Sequence, residues 1–250
     1  GANGVSATSS GLTGSPVAFS ATGIVGSPTV IAANSAVTQS AVVLTAVTAP
    51  PSVRVTDAGG NPVTGVVVTF ATTAGGGTLS PASPAAVSTD ALGIATLASW
   101  TLGATVGANT LTATVAGLTG SPVTFSATGT VGAATTLGAN SVLSQSASVS
   151  SAVTAPPSVK VTDAGGNGVS GVTVTFTVVS GGGVTSPVSP ASVVTNASGV
   201  ATLTSWTLGA VAGANTVSAT ASGLTGSPLV FSATGTAGTP TTIAANSVTT

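Results

Sequence analysis

The chain is 250 residues long and carries two basic and three acidic residues, no His and no Cys, for a formal net charge of -1. Without imidazole or thiol, Ser/His/Asp and Cys/His nucleophiles and the usual His/Cys zinc sites are excluded, and two basic side chains are too few to neutralise a nucleic-acid backbone. No apolar run reaches the roughly 18 residues that a membrane-spanning helix needs, and five Phe, two Trp and no Tyr are too few for the aromatic girdles of an outer-membrane barrel.

In chain order, "GANGVSAT" from Gly1 aligns with "GANTLTAT" from Gly107 and "GANTVSAT" from Gly213. Residues 1–26 are therefore expected to be the C-terminal strands of a preceding repeat. Residues 27–132 and 133–238 form two whole repeats, because Pro51, Asp57 and Trp100 return as Pro157, Asp163 and Trp206, each 106 residues further on with no insertion or deletion. Residues 239–250 are expected to hold the first strand of a following repeat, since "IAANS" at Ile243 matches "IAANS" at Ile31. A period of this length suits a sandwich domain and is too long for a solenoid turn.

Within the first whole repeat, strands are expected at 28–32, 52–56, 64–71, 86–89, 94–100, 109–115 and 123–128. The segment 33–50 has no clear alternation and leaves room for one further edge strand. Which way the strands face follows from comparing the copies. Val67 becomes Thr173, whereas Val66, Val68 and Phe70 remain apolar as Val172, Val174 and Phe176, so the latter set faces a core with the period of two of a half-buried strand. Leu111, Ala113 and Val115, and Val123, Phe125 and Ala127, alternate in the same way. Gly, Pro and β-branched residues are too dense for helix. Two antiparallel sheets packed face to face bury one face of each strand.

The five charges fall at turns and edges. Asp57 and Asp163 sit where a strand ends and "AGGN" must reverse the chain, a place where an Asp carboxylate accepts bonds from backbone N–H groups a few residues on. Asp90 and its counterpart Asn196 are read as turn caps of the same kind. Asp57 with Asp90 is not read as an acid/base or calcium pair, because Asn196 breaks the pair in the second copy and calcium gathers more carboxylates than this. Arg54 and Lys160 lie on an exposed strand face, as edge charges do. Strict alternation from Ala95 and Leu97 carries Trp100, and likewise Trp206, to the opposite face, which makes both candidates for interdomain contact. Asn196 also opens the only N-x-S/T sequon, "NAS", a candidate glycosylation site.

The stretches "VRVTDAGGNPVTGVVVTF", "GGGTLS", "VSTDALGIATLASWTLG" and "GANTLTATVAG" resemble the group-one bacterial immunoglobulin-like repeats of the invasin and intimin type, over the whole chain. The resemblance implies tandem immunoglobulin-like antiparallel β-sandwiches in a linear array, of the kind found in rods and adhesins at the bacterial outer surface. It implies no catalytic residue, cofactor or metal. The expected role is a structural segment of a secreted surface fibre, sheath or stalk, with copies of the chain itself as partners, end to end or laterally. An alternative is an adhesin module that binds a host receptor or glycan through exposed loops such as Thr72 to Pro84. No nucleic-acid partner and no membrane insertion are expected.

Overall fold

The computed structural model describes residues 1–240, 242 and 243; most of the strand expected within 239–250 lies outside the described residues. The chain divides into two compact units. The first comprises Gly1–Ala41, Thr45–Gly103 and Gly107–Gly129, and the second Val42–Leu44, Ala104–Val106 and the chain from Thr130 onward.

The first unit opens with an antiparallel hairpin, β1 (Ala2–Ala7) and β2 (Val17–Thr22), which pairs with no other strand among the described residues. Then follow β3 (Pro28–Ala33), β4 (Thr38–Val42), β5 (Ser52–Asp57), β6 (Val67–Ala74), β7 (Thr78–Ser80), β8 (Ala85–Ser88), β9 (Ile94–Thr96), β10 (Ser99–Thr101), β11 (Gly107–Thr114) and β12 (Val123–Thr130). One sheet has the order β4-β12-β11-β6-β8, a second β3-β5-β9, and β7 pairs with β10.

Alternation along these strands makes the core. Val53 and Val55 of β5, Val68 and Phe70 of β6, Leu111 and Ala113 of β11 and Phe125 of β12 are completely buried in a single cluster. Each Val, Leu and Phe among them contributes about 1.5–3 kcal/mol by leaving water. Val66, Val115 and Val123 pack against the same cluster, whereas Val67, one residue out of phase, is exposed.

The second unit repeats the order with β13 (Thr136–Ala139), β14 (Ser144–Ser148), β15 (Ser158–Thr162), β16 (Thr173–Ser180), β17 (Val184–Ser186), β18 (Ala191–Val194), β19 (Val200–Thr202), β20 (Ser205–Thr207), β21 (Gly213–Thr220) and β22 (Leu229–Thr236). Here β13 pairs antiparallel with β15, and β14 pairs parallel with β22, so the chain passes from one sheet to the other between them. This is an all-β, tandem immunoglobulin-like sandwich: two facing sheets, mostly antiparallel, with the leading strand split across both.

Several elements differ from the sequence expectation. β7 falls where no strand was expected, whereas the segment 33–50 does contain an edge strand, β4, for which the sequence left room. The strand expected at 64–71 begins only at Val67, because Gly65 adopts a φ of 79° and its N–H bonds to Thr89 O at 2.9 Å, which takes it out of the extended path. The strand expected at 94–100 is two strands. Leu97 N donates to Pro51 O, on the β5 side, and Ala98 N donates to Ser80 O of β7, so the chain changes sheets here and slips half a period. In consequence Trp100 turns inward, opposite Leu79.

Candidate functional site

The most connected polar site in each unit is the carboxylate at the end of the second core strand. Asp57 closes β5, and the next residues must turn back at once. Asp57 Oδ1 accepts from Gly59 N at 2.9 Å and Asn61 N at 2.9 Å. Gly60, with φ of 79°, takes the left-handed position of this turn. Asn61 Nδ2 bridges the carboxylate at 3.1 Å to Oδ1 and 3.0 Å to Oδ2. Oδ2 also accepts from Gly26 N at 2.8 Å, a residue 31 positions earlier in the segment that leads into β3.

Asp163 repeats every bond. Its Oδ1 takes Gly165 N and Asn167 N, both at 2.9 Å, Asn167 Nδ2 bridges at 3.0 and 3.1 Å, and its Oδ2 takes Gly132 N at 2.9 Å. Donors surrounding a carboxylate favour its charged form. The Gly26 N–H, with the side chain and N–H of Asn61 and the N–H of Gly59, lowers Asp57 to about 2. Burial is the strongest single influence on Asp163 and opposes ionisation, but the N–H groups of Gly132, Asn167 and Gly165 and the Asn167 amide together hold it below the ordinary range.

Asp90 and Asn196 make a smaller cap. Asp90 Oδ1 accepts from Leu92 N at 2.8 Å and Ile94 N at 2.9 Å, and Asn196 Oδ1 accepts from Ser198 N and Val200 N at 2.9 and 3.0 Å. One oxygen suffices here, which explains how an amide stands in for a carboxylate. Asn196 is exposed, as a glycosylation acceptor must be. Arg54 is exposed on β5, facing Ala32 and Ile94 across the sheet, and Lys160 is half-buried on β15; each strand is the middle one of its three-stranded sheet, which corrects the reading of both as edge charges.

The expected interdomain role of Trp100 and Trp206 is corrected by their burial. Each indole is at most 1% exposed and sits in the core of its own unit, because of the change of sheet just before it. Trp206 Nε1 has no hydrogen-bond partner among the described residues.

Two polar residues in each unit that the sequence reading passed over hold the loops around these cores. Asn109 and Asn215 are buried on the core face of their strands. Asn109 Oδ1 accepts from Gly103 N at 3.0 Å and its Nδ2 donates to Gly107 O at 3.2 Å; Asn215 does the same with Gly209 and Gly213. A Cβ on Gly75 would overlap the Asn109 side chain, and one on Gly103 would overlap Gly75 itself, which is why this corner is built of glycine. Gln39 acts as a strand partner to one residue, donating to Ala49 O at 2.8 Å and accepting from Ala49 N at 3.0 Å; Gln145 repeats this with Ala155. The available signal was repetition itself: Asn recurs at the same place in the aligned stretches that begin at Gly1, Gly107 and Gly213, in phase with Leu111 and Ala113, and Gln39 and Gln145 are the only glutamines in the chain.

The arrangement caps turns and fastens loops. Among the described residues no group of three or more His, Cys, Asp or Glu side chains could hold a metal ion. The loop Thr72 to Pro84 is fastened too, for Leu79 is in the core and Thr72 N bonds Ser83 Oγ at 3.2 Å.

No protein-family model and no curated protein matches the chain. Among solved structures it is similar to FdeC, an Escherichia coli adhesin, at 18% identity over 86% of this chain and 66% of that one with a TM-score of 0.49. It is also similar to InvD of Yersinia pseudotuberculosis, at 22% identity over 88% of this chain and 60% of that one with a TM-score of 0.40. A third is invasin, a bacterial integrin-binding protein, at 22% identity over 78% of this chain and 36% of that one with a TM-score of 0.34. At such values the fold assignment stands on the strand order given above.

Proposed function

We propose that this chain is a structural segment of a secreted bacterial surface fibre, sheath or stalk, and that it associates with copies of itself. The observation that carries this reading is the outer face of the five-stranded sheets. None of the five charged residues, Arg54, Asp57, Asp90, Lys160 and Asp163, lies on a strand of either five-stranded sheet. Across the outer face of the first, Ala71, Thr112 and Thr124 form one row and Thr110 stands opposite Ser126. In the second, Thr177 faces Ser218 and Thr216 faces Ser232.

Such a face has neither the aromatic or Arg anchors nor the charges with which heterologous interfaces gain affinity and choose a partner. Its small side chains let an identical face approach to the roughly 10 Å spacing of packed sheets, and near-zero charge leaves little repulsion between copies. Few Lys and Arg also leave few sites for trypsin-like proteases, a useful property outside the cell.

Sedimentation velocity over a range of protein and salt concentrations tests the reading. Association that grows with concentration, resists salt and is lost in Thr112→Lys/Ser218→Lys, but persists in Thr96→Lys/Thr202→Lys on the smaller sheets, is the expected result. A monomer at every concentration would refute it. The adhesin alternative draws on the exposed residues 74–76 and 80–84 at the tips of the fastened loop; it requires binding to a host receptor or glycan that substitution of those tips abolishes.

A further inference from the structure

We infer that Asp57 and Asp163 are junction clamps, positioning residues that pin the segment leading into each repeat, and that this second task is why each must be a carboxylate. The two kinds of cap in the chain make the distinction. Where a single oxygen does the capping, the chain carries Asp90 in one copy and Asn196 in the other, with the same pair of N–H bonds. Where two oxygens work, it carries Asp in both.

The second oxygen is the one that reaches out of the turn. Asp57 Oδ2 takes the Gly26 N–H at 2.8 Å and Asp163 Oδ2 takes the Gly132 N–H at 2.9 Å, each across 31 residues of sequence. Gly26 lies between the end of β2 at Thr22 and the start of β3 at Pro28, and Gly132 between the end of β12 at Thr130 and the start of β13 at Thr136. A local turn thus also holds the connection from the preceding strand, by a charge-assisted bond that is stronger than one between neutral groups.

An amide cannot perform both tasks. Asn at 57 or 163 that kept its oxygen on the turn N–H groups would aim its NH2 at the Gly26 or Gly132 N–H and at the bridging Nδ2 of Asn61 or Asn167, donor against donor. Turn capping would survive and the clamp would open. The connecting segment would keep the bonds near its ends, Gly23 N to Gly1 O at 2.9 Å before β3 and Thr135 N to Thr162 O at 2.8 Å before β13, and lose the one at its middle. The inference concerns a bond made inside each unit and stands whether or not the chain self-associates.

Amide hydrogen exchange on the full chain, read residue by residue by NMR, tests this. In the unaltered protein the Gly26 and Gly132 amides should be protected although their segments are loops; exchange at the rate of an open loop would overturn the clamp outright. In Asp163→Asn the Gly132 amide should exchange at least about tenfold faster while Gly165 and Asn167 stay within about threefold of the unaltered protein, the signature of local opening without global unfolding. Asn196→Asp should change none of these amides. If Asp163→Asn accelerates Gly132, Gly165 and Asn167 alike while the core amides stay protected, the residue is a turn cap only and the inference fails. Should that variant lose its fold, Asp57→Asn read at Gly26 provides the same comparison in the other unit.

Discussion

At the scale of single residues, stability in this protein depends on a few buried polar groups that each complete a loop. Asn109→Ala leaves the Gly103 N–H without its acceptor inside a glycine corner that has no room to rearrange, and urea unfolding should show a loss of about 1–3 kcal/mol; the equivalent Asn215→Ala should match it. The carboxylates set the response to acid. Asp57 is held at about 2 and Asp163 is lowered as well, against about 3.9 for Asp in an unfolded chain. A depressed folded value means that the unfolded chain takes up protons first as pH falls. Their contribution is therefore complete above about pH 5 and is lost progressively between about pH 4 and 2. Since the chain has no His, the melting temperature should be flat from pH 5 to 8 and fall steeply below 4. A step near pH 6.5 would contradict this.

Among the elements, the short strands are where sequence and structure part. Val66, Val68, Phe70, Leu111 and Phe125 were legible as core because two copies show which positions tolerate Thr and which stay apolar. β7, β9 and β10 have three residues each, too few for alternation to declare itself, so the change of sheet at Leu97 and Ala98 was invisible and Trp100 was given the wrong face. The bond from Asp57 to Gly26 could not be read either, because nothing in the sequence marks residues 31 apart as neighbours. With Trp100 in the core, Trp100→Ala should cost about 3–5 kcal/mol, and the fluorescence of the unaltered protein should be that of indoles shielded from water, shifting to the red only on unfolding. Gly77→Ala should destabilise the same corner, because its Cβ would overlap Thr101 O and crowd the Trp100 indole. An unchanged urea midpoint for both variants would mean that the β7–β10 corner is not part of the cooperative core.

For the molecule as a whole, the charge distribution carries the functional reading. The sequence disclosed how few charges there are; only the strand order shows that every one of them is kept off the five-stranded sheets, whose outer faces bear Thr, Ser and Ala in register. Cross-strand pairs of that kind stabilise their own sheet modestly and leave a face that another such face can cover. Cryo-electron microscopy of the assembled native material tests this most directly. Ordered assemblies in which five-stranded sheets of neighbouring copies face one another at about the 10 Å spacing of packed sheets are the expected result. Isolated, unassociated chains, or assemblies joined through the loops at 74–76 and 80–84 with the sheet faces open to solvent, would contradict it.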